Sequence, residues 1–328
     1  MSAILLVMDR SQTLVMLIKA AMESTVAAAR ATAPDKLTWS PDGKSRSALA
    51  QLCECGQACE WFTHILNARG EGVGFDPVSF KESQIAQRRA SDIDVVEADV
   101  RTHTAAFCDA LLNLPAEDGS KQVELFPGFH LSLNHLMLLP LENFAYHQGQ
   151  INYIQTLYGD KDMHEAGSAQ IDFPDRETII EACEFVLPML VRTVLATPAD
   201  KMKWSPAEGA RTILDMAEEV RQSGGWGADS LEAADKFSFA DFDFGTMMAD
   251  RLQEPNNDTW ETRLRANHEA FYAKLRAFPA EKEGLRAEPM PGWVLTMGDL
   301  AYYPFWNIAY HLGQINYVQC LYGDHEMH

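Results

Sequence analysis

The sequence predicts an all-α protein made by tandem duplication, two copies of one up-down-up-down four-helix bundle, and three observations predict it. A long block of residues recurs at a fixed offset. Apolar positions within each copy fall at the spacing of amphipathic helices. Strand-like alternation is scarce, confined to a brief stretch over Asp92–Val96.

The repeat sets the domain organisation. The stretch Asn143–Asp160 recurs as Asn307–Asp324, an offset of 164, the distance from His147 to His311. Met163 and His164 recur as Met327 and His328 at the same offset. Upstream, Lys36, Trp39, Ser40, Pro41, Arg46, Leu49 and Trp61 recur as Lys201, Trp204, Ser205, Pro206, Arg211, Leu214 and Trp226, at an offset of 165. The segments Leu114–Glu117 and Phe278–Glu281 already keep the shorter offset, so the single-residue loss precedes them. A solenoid unit spans roughly 20–50 residues, far less than this period. Two domains follow, 1–164 and 171–328, joined over residues 161–174, where Gly167, Ser168 and Pro174 interrupt the pattern. Two such bundles in one chain are expected to pack on each other as an intrachain pseudo-dimer.

The elements of each copy are read in order. The first helix covers about Asp9–Ala31 and Asp175–Ala196, with Pro34 and Pro198 as stop signals. After the Trp-Ser-Pro turn, the second covers about Ser47–Leu66 and Thr212–Gln222, capped by Ser47 and Thr212 and frayed in the second copy by Gly224 and Gly225. A long connection, about 67–90 and 227–256, leads to the third helix at about Ser91–Leu114 and Asp258–Phe278. A short Pro-Gly segment (Pro127-Gly128, Pro291-Gly292) then enters the fourth helix, about Leu131–Tyr158 and Leu295–Tyr322. Pro140 and Pro304 kink that helix or delay its start, and Gly159 and Gly323 stand where a C-terminal cap belongs.

Charge narrows the function classes. Against 27 Lys and Arg stand 47 Asp and Glu, a formal net charge of −20 over 328 residues. Such a surface repels nucleic-acid phosphates and anionic lipid headgroups, so neither partner is expected. No apolar run approaches the roughly 20 residues that span a bilayer. The apolar start Ser2–Met8 lacks a preceding Lys or Arg and a cleavage site, so it reads as helix or extension rather than a leader, and a cytoplasmic location is expected. Six cysteines are present: Cys53, Cys55, Cys59, Cys108, Cys183 and Cys320. Cys55 and Cys59, one helical turn apart, read either as a shared metal pair or as small buried hydrophobes in a reducing compartment.

The sharpest shared signature is Asn-x-x-x-His-x-Gly-Gln on the fourth helix. Asn143, His147 and Gln150, and their counterparts Asn307, His311 and Gln314, each line one helix face. On the second helix Glu54 precedes Trp61 by seven residues, and Glu219 precedes Trp226 by seven. Each copy therefore offers a carboxylate, an amide and an imidazole on facing helices. His103 and His268 on the third helix read as surface or packing residues. Asp160 and His164, with Asp324 and His328, read as a solvated helix exit as readily as a site. The twin Glu-x-x-His motifs of a di-iron bundle are absent, as are a phosphate loop and a nucleophile elbow.

At these residues each copy resembles the DinB-like (damage-inducible) four-helix-bundle superfamily, over nearly its whole length. The resemblance is most specific at His147–Ile151 and His311–Ile315 and extends to the Trp-Ser-Pro turn and the helix-two aromatic. It implies a divalent metal held by one histidine on the second helix and a His-x-x-x-His pair on the fourth. It also implies relatives that are metal-dependent thiol transferases or a thiol-dependent isomerase. Here the ligand positions are altered. Glu54 and Glu219 replace the first histidine, Asn143 and Asn307 the second, and only His147 and His311 remain. One divalent metal per copy (Zn, Ni, Mn or Fe) on Glu54, Asn143, His147, Glu219, Asn307 and His311 is one expectation. A metal-free hydrogen-bonded network is another, and a pocket for a small-molecule or thiol ligand is a third. The corresponding functions are a non-catalytic or small-ligand-binding bundle and, alternatively, a metal-dependent thiol S-transferase or isomerase.

Overall fold

In the computed structural model the described residues are 8–164, 169–241, 245, 258–326 and 328. Their regular structure is mostly helical, with two short hairpins. The chain divides into two compact units, one of Ser11–Ala166 and one of Gly167–His328 together with Met1–Arg10.

In the first unit α1 (Arg10–Ala31), α2 (Ala48–Asn67), α4 (Ile93–Leu112) and α6 (Leu139–Leu157) carry the apolar interior, with a helix α3 (Pro77–Arg89) between α2 and α4. The helix α2 lies along α4 and against α6. Leu17, Leu49, Phe107, Phe144 and Ile151 are completely buried among them. The N-caps follow local chemistry: Ser47 accepts from Ala50 N, and Asp92 accepts from Asp94 N and Val95 N. The alternating stretch at Asp92–Val96 is thus a cap and a first helical turn, not a strand. The connection read as a loop over 67–90 contains α3, started by Asp76 and Pro77. This helix is mostly exposed, so it lacks the apolar stripe by which a helix is recognised.

The second unit repeats the order with α7 (Arg176–Ala196), α8 (Ile213–Ala233), α9 (Asp258–Ala277) and α10 (Met297–Tyr322). Here α8 lies along α9 and α10, and α10 also packs on α7. Thr212 and Asp215 form a capping box for α8, and Thr296 and Asp299 form one for α10. The expected end of this second helix at Gln222 is wrong: α8 continues through Gly224, Gly225 and Gly227 to Ala233. Those glycines are points of close approach. A Cβ on Gly224 would lie 2.8 Å from the backbone of Asn267 and His268 on α9, and one on Gly227 would lie 2.6 Å from Pro304 on α10. The remainder of the expected connection lies largely outside the described residues.

The Pro-Gly segments are tips of antiparallel hairpins that the sequence reading missed. Strands β1 (Gln122–Phe126) and β2 (Phe129–Ser132) pair in the first unit, β3 (Arg286–Met290) and β4 (Trp293–Thr296) in the second. Gly128 and Gly292 take φ of +79° and +83°, a region open to glycine. The Glu124 carboxylate accepts from Gly128 N at 2.8 Å, and Glu288 accepts from Gly292 N at 2.7 Å. Strands of four or five residues carry too little pattern to declare themselves.

The two prolines of the fourth helix act differently. Pro140 starts α6 after a separate short helix α5 (Leu133–Leu136), whereas α10 runs unbroken through Pro304. Gly159 and Gly323 both turn left-handed after the last turn, as expected of caps. Side-chain ties also recur. Gln155 Nε2 donates to Ala28 O and Thr32 Oγ1, and Gln319 Nε2 donates to Thr193 O and Thr197 Oγ1, all at 2.8–3.1 Å. Trp39 meets Tyr158 edge-on at 6.0 Å, and Trp204 meets Tyr322 the same way at 6.0 Å.

The glycine geometry gives a direct test. Gly224→Ala is expected to destabilise the chain by about 1–3 kcal/mol, because backbone must move to admit the methyl group. Gly225→Ala, whose Cβ would have ordinary clearance of 3.8 Å, is expected to be neutral or stabilising by up to about 1 kcal/mol. Urea denaturation of both variants checks the contrast.

Candidate functional site

In the second unit the site begins at the turn before α8. Arg211 immediately precedes the N-cap Thr212, and Glu219 follows two turns into the helix. The α10 residues Asn307 and His311 are spaced one turn apart and face Glu219. Arg211 Nη1 lies 2.6 Å from Glu219 Oε2. On the other carboxylate oxygen, Oε1, converge Asn307 Nδ2 at 3.1 Å and His311 Nε2 at 3.0 Å. The opposite ring nitrogen of His311, Nδ1, is 2.8 Å from Gln314 Oε1. The cluster is therefore a guanidinium, a carboxylate, an amide and an imidazole in one hydrogen-bonded chain, with the Arg211 and Glu219 ends charged. Asn307 is fully buried and His311 is 2% exposed.

Burial by itself would raise the Glu219 carboxyl. The nearby His311 ring and then the Arg211 guanidinium outweigh that and hold it well below the usual carboxylate range. Glu219 is thus ionised at neutral pH, and both of its oxygens are engaged.

The first unit places the same residue types differently. Arg46 precedes the N-cap Ser47 and pairs through Nη1 with Glu54 Oε2. His147 Nδ1 lies 2.9 Å from Gln150 Oε1, the same orienting bond as in the second unit. Its Nε2, however, stands 3.6 Å from Glu54 Oε1, beyond hydrogen-bond reach. Asn143 is half-buried. Burial pushes His147 down to about 3, and the Arg46 charge adds to this against the opposing Gln150 bond. A neutral ring donating from Nδ1 leaves its Nε2 lone pair facing Glu54.

All six residues singled out in the sequence therefore lie on the expected facing helices. Glu219, Asn307 and His311 are joined by hydrogen bonds, and Glu54 and His147 are neighbours without one. Sequence reasoning missed Arg46 and Arg211 as parts of the site, although both stand among the residues shared by the two copies. Next to Asn143 in sequence, the Glu142 carboxyl is pushed up by burial to about 7, and no hydrogen bond or ion pair joins it to the cluster among the described residues. Glu142 corresponds to Trp306, so the repeat gives no signal there.

The other candidates fall into place around the cluster. Cys55 is buried and lies 3.5 Å from Gln51 O, while Thr104 Oγ1 lies 3.7 Å from Cys59 Sγ. Burial pushes Cys55 well above the ordinary thiol value and Cys59 up to about 12, so both favour the thiol over the metal-binding thiolate. His268 is buried, with Nδ1 on Leu264 O, and burial lowers it to about 4. His103 Nδ1 lies 3.2 Å from Gly56 O, across the α2–α4 contact.

Comparison of the chain with protein-family models, curated proteins and solved structures finds no match.

Acid should unfold the chain through the buried rings. His147 and His268 both have folded-state values below the ordinary 6.5, so the unfolded chain takes up their protons first as pH falls. Their contribution is complete above pH ~6.5 and is lost progressively towards about 4 for His268 and about 3 for His147. The slope is on the order of 1.4 kcal/mol per pH unit per ring. Urea midpoints at pH 7 and pH 5 are expected to differ accordingly, and His147→Gln should remove about one proton from that dependence. Equal midpoints at the two pH values would show that the rings are not buried neutral.

Proposed function

We propose that each unit is a DinB-like four-helix bundle, built twice along one chain, in which an Arg–Glu–His cluster stands where the superfamily holds its metal. On this reading the protein is cytoplasmic and works as a non-catalytic bundle, structural or binding a small ligand. The observation that carries it is the state of Glu219. Its Oε2 is taken by Arg211, and its Oε1 by His311 and Asn307. A divalent cation there would have to displace two hydrogen-bond donors and sit beside a guanidinium. The donor set of the second unit does not fit such a metal.

A second reading is favoured by one observation in the first unit. His147 is neutral, oriented through Nδ1, and presents a free Nε2 lone pair 3.6 Å from a carboxylate oxygen. That geometry suits a divalent metal (Zn, Ni, Mn or Fe) on Glu54 and His147, with Asn143 orienting it, once Arg46 releases Glu54. A metal held there would lower the pKa of a bound thiol, as a thiol S-transferase or isomerase requires.

Elemental analysis of protein purified without a metal-affinity tag separates the readings. The first predicts that His147→Ala and His311→Ala change stability and leave metal content unchanged. Near-stoichiometric metal lost on His147→Ala would instead establish the second.

The cluster also predicts unequal costs for one substitution. Glu219→Gln is expected to destabilise the chain by about 1–3 kcal/mol, because Arg211 loses its counter-charge and the buried Asn307 and His311 lose a charged acceptor. Glu54→Gln, which breaks only the part-exposed pair with Arg46, should cost about 1 kcal/mol or less. Urea denaturation at pH 7 measures both.

A further inference from the structure

We propose that the tail leaving α6, Asp160-Lys161-Asp162-Met163-His164, is a divalent-cation site separate from the Arg–Glu–His cluster. Ligand atoms from Asp160, Asp162 and His164 all lie within 4.8 Å of one another. Donors about 2.0–2.2 Å from a common metal stand some 3–4 Å apart, so small side-chain movements would close this set around an ion. Two carboxylates beside an imidazole also repel each other in a chain of net charge −20, and a cation relieves that repulsion. One imidazole with two carboxylates suits Mn, Fe, Co or Zn.

The tail is a built structure. Gly159 turns the chain out of the helix, and Asp162 N donates to Asp160 Oδ1 at 3.1 Å. His164 Nε2 lies 2.7 Å from Asp160 Oδ2. From within α6, Asn152 reaches out to hold the tail, donating from Nδ2 to Met163 O at 2.6 Å. Asn152 is only 5% exposed, and its Oδ1 is buried with no hydrogen-bond partner. Because that oxygen shares an amide with the nitrogen gripping Met163, it lies beside the residue between two of the ligands. An unspent buried acceptor at this place points to a missing electropositive partner, an ion or its bound water.

The second unit carries the same pattern as Asp324, Glu326 and His328. His328 Nε2 lies 3.0 Å from Asp324 Oδ2, and Glu326 N donates to Asp324 Oδ1 at 3.2 Å. Both copies thus keep an acid, a second acid and a histidine at alternate positions after the helix exit.

The test is titration of the tag-free, chelator-stripped full chain with Co2+, followed by visible absorption and calorimetry. Wild type is expected to bind Co2+. The double variant Asp162→Asn/His164→Gln should lose one equivalent, or weaken it by about 100-fold, with unchanged circular dichroism. His147→Ala should keep that equivalent, which separates this site from the cluster. Absence of Co2+ binding by wild type at millimolar Co2+ overturns the proposal, as does a double variant that binds like wild type. Loss of all bound Co2+ on His147→Ala alone overturns it as well.

Discussion

A carboxylate two turns inside a helix, turned toward another helix, has to be neutralised by what those helices and the preceding turn can supply. Glu219 meets that demand with Arg211 from the turn before α8 and with Asn307 and His311 from α10. Much of the local architecture follows from it. The arginine has to stand just ahead of the N-cap for its guanidinium to reach forward along the helix. The amide and imidazole have to be one turn apart so that both converge on one oxygen. Gln314 has to stand at the next position of the same face to fix the ring. An unpaired charge buried at this depth costs several kcal/mol, so these residues stand or fall as a group.

The two units meet the same constraint with different geometry. In the second, His311 Nε2 lies 3.0 Å from the carboxylate and hydrogen-bonds to it. In the first, the corresponding gap is 3.6 Å, Arg46 alone balances Glu54, and His147 stays neutral beneath its burial. A difference of 0.6 Å separates an imidazole bonded to its carboxylate from one that stands off it. The residue before the asparagine differs too, Glu142 in the first unit and Trp306 in the second. Two copies of one residue set thus present a closed network and a more open one.

The sequence made the long helices legible through their length, their stop signals and caps such as those at Ser47, Thr212, Gly159 and Gly323. It made the six cluster residues legible because they recur at matching positions. What escaped it did so for identifiable reasons. The helix α3 is mostly exposed and has no apolar stripe. The hairpins are four or five residues per strand, below the length at which alternation is informative. Gly224 and Gly225 read by propensity as fraying the helix, whereas the helix runs on through them and close packing against α9 selects Gly224. Arg46 and Arg211 escaped because an arginine before an N-cap is ordinary surface chemistry unless its partner deeper in the helix is known. No pattern in one sequence reports whether a histidine and a glutamate stand 3.0 or 3.6 Å apart.

Residues kept by both copies can be sorted by what they touch, and the sorting is itself informative. One group ties the fourth helix to the first, as Gln155 and Gln319 do through backbone carbonyls and threonine hydroxyls. A second closes the end of that helix, with Trp39 on Tyr158 and Trp204 on Tyr322. A third fixes the hairpin tips through Glu124 and Glu288. These three need no ligand to explain them, because each satisfies a backbone group or buries an aromatic face. The polar residues of the helix interface and of the exit tail are different, because they set carboxylates beside imidazoles, as at Glu219 with His311 and Asp160 with His164. On the proposed reading, function lies with two sets of fourth-helix residues: the Arg–Glu–His face within the helix interface and the Asp–His tail at the exit.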